Sequence, residues 1–226
     1  MSNHFVQASG LTKSYTLGGT VLQVLKGIDL QLKKGEINFI FGSSGCGKST
    51  LLHMLAGLDR PDQGDVLYDG ENIYKLSESN LAKFRNQHIG IVFQFFHLLP
   101  ELTLLENVML PMLIARKNDK QKAEAILESV SLIDRRKHLP SQLSGGEKQR
   151  AAIARALMND PDIVFCDEPT GNLDEHSTQE VMALLEQFNA EQNKTFCIVT
   201  HEQSLVKGHH TVLELHEGRL VSRAGA

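Results

Sequence analysis

Gly42-Ser43-Ser44-Gly45-Cys46-Gly47-Lys48-Ser49 completes the pattern GxxxxGK[ST] between an apolar run and a helical one. These residue types suit a polyphosphate. Glycines let successive backbone N–H groups turn inward around phosphate oxygens, and the N-terminus of a following helix adds positive potential. Lys48 would bring its ammonium to the β- and γ-phosphates, and the Ser49 hydroxyl would ligate Mg²⁺. Further along, Ile163-Val164-Phe165-Cys166-Asp167-Glu168 reads as a buried strand ending in two carboxylates. Asp167 would meet the metal, directly or through water. Glu168 would polarise a water attacking in line with the γ-phosphate. Alone, such a pair is commonly a solvated turn; behind a phosphate loop it reads as chemistry.

Leu143-Ser144-Gly145-Gly146-Glu147 opens another helix, running to about Met158. Ser144 can cap it, and the glycines leave room for an anion at the helix end. By itself this is also how an ordinary capped helix begins. A phosphate loop, an LSGG helix and an apolar strand ending in Asp-Glu, in that order, closely resemble the motifs of ABC ATPases, and the resemblance covers essentially the whole chain.

That resemblance implies ATP and Mg²⁺ as ligands and extends the site. The loop from Gly42 through Ser49, with Thr50 beside it, would cradle the phosphates, and Tyr15 would stack on adenine. Ser49, Gln94 and Asp167 would attend Mg²⁺, with Gln94 also sensing the attacking water. Lys48, Glu168 and His201 would act on the γ-phosphate, His201 as its switch histidine. Ser144, Gly145 and Gly146 would reach the ATP of a second copy of this chain, so that two protomers sandwich two nucleotides, with Asp174 linking the two sites. The signature ends in Glu147 where many ABC ATPases carry Gln. That departure, the run Gln94-Phe95-Phe96-His97-Leu98-Leu99-Pro100-Glu101-Leu102-Thr103, Glu106-Asn107-Val108, Pro111 and the stretch Asp167 to Asp174 resemble the subgroup serving lipoprotein release, macrolide-type export and cell division. Within it, the lipoprotein-releasing members look nearest.

Several elements must hold these residues. The first 41 residues read as strands: Gly18-Gly19 marks a turn, Val24 to Leu32 alternates at Val24, Ile28, Leu30 and Leu32, and Ile37 to Phe41 is a short buried run. Leu51 to Leu58 has helical spacing, with Gly57 at its end. The region from about Ser77 to Met158 reads as mostly helical, with helices from Ser77, over Leu102 to Arg116 and over Asp119 to Val130. Strands return at Ile89–Phe93, Ile163–Cys166, Thr195–Val199 and Thr211–Leu215, and Glu175 to Asn193 is a long helix. Strands separated by helices predict a parallel α/β sheet. Residues 1–226 are expected to form a single nucleotide-binding domain: an α/β P-loop NTPase core, an N-terminal antiparallel β subdomain, and an inserted helical signature subdomain at about 95–160.

Composition narrows the rest. With 41% apolar and 22% charged residues the chain reads as a globular protein rather than a disordered one. Its net charge of −4 has the wrong sign for bulk attraction to nucleic acid, and no nucleic-acid partner is expected. Lys33-Lys34 and Arg135-Arg136-Lys137 are too short for nucleic-acid arms and read as solvated surface. The three cysteines show no metal-ligand spacing and fit a reducing compartment. No run approaches the roughly 18 apolar residues of a membrane span. These features point to a cytosolic chain, and the resemblance to ABC ATPases implies a peripheral subunit on the cytoplasmic face of the inner membrane. Residues 95–115 carry more apolar side chains than one packed face needs, and are expected to dock a short helix of an integral permease. Other readings are a related ATPase that sends a mechanical signal across the membrane, a soluble ATPase acting on DNA or ribosomes, and a P-loop kinase. The kinase does not account for the LSGG helix. The DNA reading lacks a long heptad segment, and the ribosome reading lacks a second cassette.

Overall fold

Alternation along short apolar strands decides the layering. In a computed structural model that describes residues 4–221, Ile163 and Phe165 of one strand pack to one side of a central sheet, and Val164 and Cys166 to the other. The strands are β1 (His4–Leu17), β2 (Thr20–Lys33), β3 (Ile37–Phe41), β4 (Gln63–Tyr68), β5 (Glu71–Asn72), β6 (Ile89–Val92), β7 (Ile163–Asp167), β8 (Thr195–Thr200), β9 (Thr211–His216) and β10 (Arg219–Val221). The helices are α1 (Lys48–Leu55), α2 (Glu78–His88), α3 (Leu104–Ile114), α4 (Lys120–Ser129), α5 (Gly145–Leu157) and α6 (Glu175–Gln192).

The central sheet runs β10-β9-β3-β8-β7-β6, parallel from β9 to β6, with β10 returning antiparallel on β9. One face packs against α3 to α6; the other packs on α1 and a four-stranded antiparallel sheet, β2-β1-β4-β5. The parallel register aligns Phe41 with Thr200 and Asp167 with Val199. The phosphate loop after β3, the carboxylates ending β7 and the histidine after β8 therefore emerge at one sheet edge. Ligands of open α/β sheets bind at this carboxyl edge. Adjacent strands β6 and β7 are joined by a long excursion holding α3, α4 and α5, which places the LSGG helix outside the sheet layer.

The helices expected from the sequence are present, with shifted ends. The phosphate-loop helix starts at Lys48, three residues before its apolar periodicity begins. Ser77, Thr103, Asp119, Ser144 and Asp174 each cap the helix that follows them. Gly57, with φ +66°, lies just past α1 as a terminating glycine.

Strand β2 differs from its expected pattern. Leu25, not Val24, enters the core together with Ile28, Leu30 and Leu32. A bulge is responsible: Leu11 pairs with Ile28 and Thr12 with Lys26, so Gly27, with φ +80°, is skipped and the faces exchange. Strands β4 and β5 carry no alternation that the sequence discloses. Gly64 sits so close to β1 that a Cβ would stand 2.5 Å from the Ser9 carbonyl oxygen.

Candidate nucleotide site

The phosphate loop is shaped by glycines that cannot be replaced cheaply. A Cβ on Gly42 would lie 2.4 Å from both Cys46 Sγ and the Leu215 carbonyl oxygen, and Gly47 turns into α1 at φ +106°. Cys46 itself is buried, so only its backbone can take part in binding. The Lys48 ammonium is folded back over the loop, donating to the carbonyls of Gly42 at 3.0 Å and Ser43 at 3.2 Å. It also stands 3.4 Å from Glu168 Oε1, with both side chains largely shielded from water.

The strand-end carboxylates have separate partners. Ser49 Oγ donates to Asp167 Oδ1 at 2.9 Å. Burial pushes the Asp167 carboxyl above the usual carboxylate range, against the opposing hydrogen bond from Ser49. A hydroxyl and a carboxylate held together are the hard oxygen donors that Mg²⁺ takes alongside substrate phosphates, and a cation there would favour the ionised form of Asp167. Among the described residues, no group of three or more His, Cys, Asp or Glu could hold a metal without such help. The pair therefore fits Mg²⁺ shared with a nucleotide rather than an all-protein metal centre.

Glu168 occupies a left-handed conformation, φ +46°, unusual for a residue with a Cβ. Its N–H donates to the Val199 carbonyl at 2.9 Å, fastening it to β8. Its Oε2 lies 3.0 Å from Nδ1 of the largely exposed His201. Gln94 approaches from β6. The side chain of Asn172 donates to its carbonyl at 3.1 Å, and its own amide lies where a Cβ on Gly171 would stand 3.0 Å away.

A cleft of about 390 Å³ is lined by Tyr15, Val24, Ser44, Gly45, Gly47, Lys48, Ser49, Thr50, Gln94 and Glu168; Gly42, Ser43, Cys46, Asp167 and His201, expected at the same site, are not on its wall. Val24 was missed as a site residue. It reaches the cleft because the bulge at Gly27 shifts it off the face of Ile28, Leu30 and Leu32, and Gly27, an isolated glycine inside a strand pattern, is the signal that could have found it. A larger groove of about 600 Å³ near Lys83 and Arg116 contains neither a glycine loop nor strand-end carboxylates.

Ser144, Gly145 and Gly146 are not on this cleft wall. Ser144 and Glu147 cap each other: Ser144 N–H donates to Glu147 Oε2 at 2.8 Å, and Glu147 N–H to Ser144 Oγ at 3.2 Å. These hydrogen bonds hold the Glu147 carboxyl below its ordinary range. The cap needs only an acceptor oxygen, so Glu147 serves it as Gln would. Gly145 and Gly146 lie against Leu173 and Ser177, where a Cβ on Gly146 would meet Ser177 Oγ at 2.7 Å. Asp174 accepts hydrogen bonds from Ser177 N–H and Oγ at 2.9 and 2.8 Å, so the signature helix and the loop carrying Asp174 pack as one surface.

Known proteins resemble this chain in sequence and fold. Residues 25–171 match the family model described as ABC transporter. The chain is 47% identical to the lipoprotein-releasing system ATP-binding protein LolD of Legionella pneumophila (strain Lens), across 99% of this chain and 100% of the relative. It is 46% identical to the protein of the same name from Xylella fastidiosa, across 95% and 91%. Among solved structures, the ATP-binding cassette MJ0796 is 38% identical over 95% of this chain and 96% of its own; it superposes with a TM-score of 0.88 as a dimer and 0.87 in a dimeric post-hydrolysis state with ADP and Pi. With the family model spanning most of the chain and relatives aligned along nearly all of it, this protein belongs to the ABC transporter family.

Proposed function

We propose that the chain is the ATP-hydrolysing subunit of a transporter that releases lipoproteins from the inner membrane. The observation that carries this is the meeting of Lys48, Ser49 and Glu168 around one cleft, with Asp167 bonded to Ser49 behind it, in a chain alignable end to end with LolD proteins. Phosphates entering the cleft exchange the Lys48 ammonium from the Gly42 and Ser43 carbonyls and Glu168 onto their own oxygens. Glu168, held through its backbone to β8 and through its carboxylate to His201, takes the proton of a water attacking the γ-phosphate. Ser49 and Asp167 would hold Mg²⁺, which when bound neutralises charge on the β- and γ-phosphates. Gln94 monitors this centre from the loop that leads into α3.

In this reading a second copy of the chain completes the site. Its Ser144, Gly145 and Gly146 cover the γ-phosphate, the two copies form a twofold homodimer, and Asp174 communicates between the two nucleotides. Loss of the γ-phosphate removes the contact that differs between closed and open dimers. The structure of MJ0796 as a dimer supports this assembly.

The permease docks on the apolar surplus of residues 95–115. Leu104, Val108, Met109 and Met112 are core, but Phe95 is 68% and Ile114 72% exposed, and a groove of about 410 Å³ runs past Leu110, Pro111 and Ile114. No helix among the described residues is long and apolar enough to cross a membrane, so an integral partner supplies the span and holds this subunit at the cytoplasmic face. The test is capture of tagged Glu168→Gln protein from solubilised host membranes with ATP and Mg²⁺. The proposal expects an integral permease with bound lipoproteins. Recovery of the same kind of permease with cell-wall hydrolases would replace lipoprotein release by signalling, and recovery of ribosomes or DNA alone would overturn the transporter reading.

A further inference from the structure

The loop that follows α1 is stitched to β1 by bonds along Thr12 to Tyr15. Lys13 Nζ donates to Asp59 Oδ1 at 2.7 Å and to the Arg60 carbonyl at 2.6 Å. Ser14 N–H donates to Asp62 Oδ2 at 2.7 Å, and Asp62 N–H to the Thr12 carbonyl at 2.9 Å. Tyr15 Oη donates to the other Asp59 oxygen, Oδ2, at 2.8 Å. Asp59 is itself fixed: Tyr74 Oη donates to its carbonyl at 2.6 Å, and its N–H reaches the His53 carbonyl at 3.3 Å. One carboxylate thus grips a lysine with one oxygen and a phenol with the other.

We infer that Asp59, anchored by Lys13, is a positioning residue for Tyr15, holding its ring at the mouth of the phosphate cleft so that the site selects a triphosphate bearing a base over a bare one. The inference rests on the reading of Tyr15 as the residue stacked on adenine. The geometry gives the reason. Tyr15 lines the cleft while 38% exposed, so its ring is not locked by burial. A ring free to rotate gives up that freedom on stacking, whereas one already tethered by its hydroxyl does not. Lys13 adds a second restraint, its ammonium lying 5.3 Å from the ring centroid. The tether also has a direction. Asp59 follows the far end of α1, the helix whose first residues are Lys48 and Ser49, so one helix anchors both the phosphate end and the base end of the cleft.

The ionic state of the pair supports the bonding. Burial works to raise the Asp59 carboxyl, but the hydrogen bonds from Lys13 and Tyr15 prevail and hold it below its ordinary range. Burial and the Asp59 hydrogen bond raise the Tyr15 phenol, which stays protonated and able to donate.

The experiment uses the purified full chain and separates base from phosphate recognition. KM and kcat for ATP are measured beside the inhibition constant of tripolyphosphate, which lacks a base, for Asp59→Ala, Asp59→Asn, Tyr15→Phe and the Asp59→Ala/Tyr15→Phe pair. Losing a charge-assisted tether is expected to raise KM for ATP about tenfold in Asp59→Ala. kcat and tripolyphosphate inhibition stay near wild type, and Asp59→Asn, which keeps an acceptor for the phenol, lies between. Tyr15→Phe matches Asp59→Ala, and the pair is no worse than either alone. Equal weakening of ATP and tripolyphosphate, an unchanged KM, or additive effects in the pair would overturn the positioning role. Tyr15→Ala guards the underlying reading: unchanged ATP affinity there removes the stacking role and with it this inference, while retained tripolyphosphate inhibition shows the phosphate site intact. Weaker ATP in Tyr15→Ala beside a normal Asp59→Ala refutes the positioning role alone.

Discussion

Glu168→Gln should pull binding and turnover in opposite directions. In the structure the Glu168 carboxylate stands 3.4 Å from the Lys48 ammonium and 3.0 Å from His201 Nδ1, with side-chain exposures of 14% for Glu168 and 7% for Lys48. At that separation, with an effective dielectric of about 20, the Lys48–Glu168 attraction is about 5 kcal/mol before desolvation is counted. The net value of such a contact is closer to about 1.5–3 kcal/mol, and phosphate must displace it to reach Lys48. An uncharged amide removes most of that competition and some repulsion of the γ-phosphate. ATP affinity should therefore rise by about tenfold or more, each factor of ten being about 1.4 kcal/mol. Glutamine cannot accept the water's proton, so kcat should fall by about 10²–10⁴. Calorimetric titration with MgATP and a phosphate-release assay on the same preparation read both quantities. A kcat within tenfold of wild type would refute Glu168 as the base, and weaker ATP binding would refute its competition for Lys48.

Other variants test the supports of the site. Ser49→Ala removes a hydroxyl bonded to Asp167 at 2.9 Å; the Mg²⁺ concentration for half-maximal ATPase activity should rise at least about tenfold, and an unchanged requirement would exclude Ser49 as a ligand. Asn107 is fully buried, donating to the carbonyls of Leu99, Leu102 and Thr103 and accepting from Leu99 N–H. Asn107→Asp is nearly isosteric but cannot donate, so urea denaturation should show a loss of about 2–4 kcal/mol; a loss under about 1 kcal/mol would contradict the bonding described. Asp162 is held below its ordinary range because hydrogen bonds from His88 and Lys34 outweigh its burial. A depressed carboxyl contributes stability above its unfolded value and loses it as pH falls through the folded one. The urea midpoint should thus decline between about pH 5 and pH 3, and Asp162→Asn should flatten that slope; an equal slope in the variant would remove Asp162 as its source.

How much of this was legible in the sequence differs from residue to residue. The phosphate loop, the β7 carboxylates and the LSGG cap were readable because each is a local pattern whose backbone geometry follows from its residue types. The parallel sheet was readable from short apolar runs separated by helical periodicity. Strand β4 was not, because Gln63, Gly64 and Asp65 are exposed and only Val66 and Tyr68 are buried; its pairing of Val6 with Tyr68 comes from tertiary contact. The start of α1 was late because Lys48, Ser49 and Thr50 are polar residues turned to the cleft, ahead of the apolar stripe. Val24 shares the alternation of Ile28, Leu30 and Leu32 only in a regular strand; the glycine at 27 allows the bulge that breaks it. The apolar excess of residues 95–115 was visible, but only the packing separates buried Val108 and Met112 from exposed Phe95 and Ile114. The tethers Lys48–Glu168, Gln94–Asn172 and Tyr15–Asp59 join positions far apart in the chain, where no local signal exists.

We propose that two copies of this chain, each presenting Ser144 to the other's nucleotide, form the hydrolytic site. The most direct measurement is sedimentation of Glu168→Gln protein with MgATP, with and without Ser144→Arg. A dimer holding two nucleotides is expected for the first variant. With Ser144→Arg added, a monomer that still binds ATP is expected. A dimer persisting with Ser144→Arg, or full ATPase activity from a monomeric Ser144→Arg single variant, would contradict the proposal.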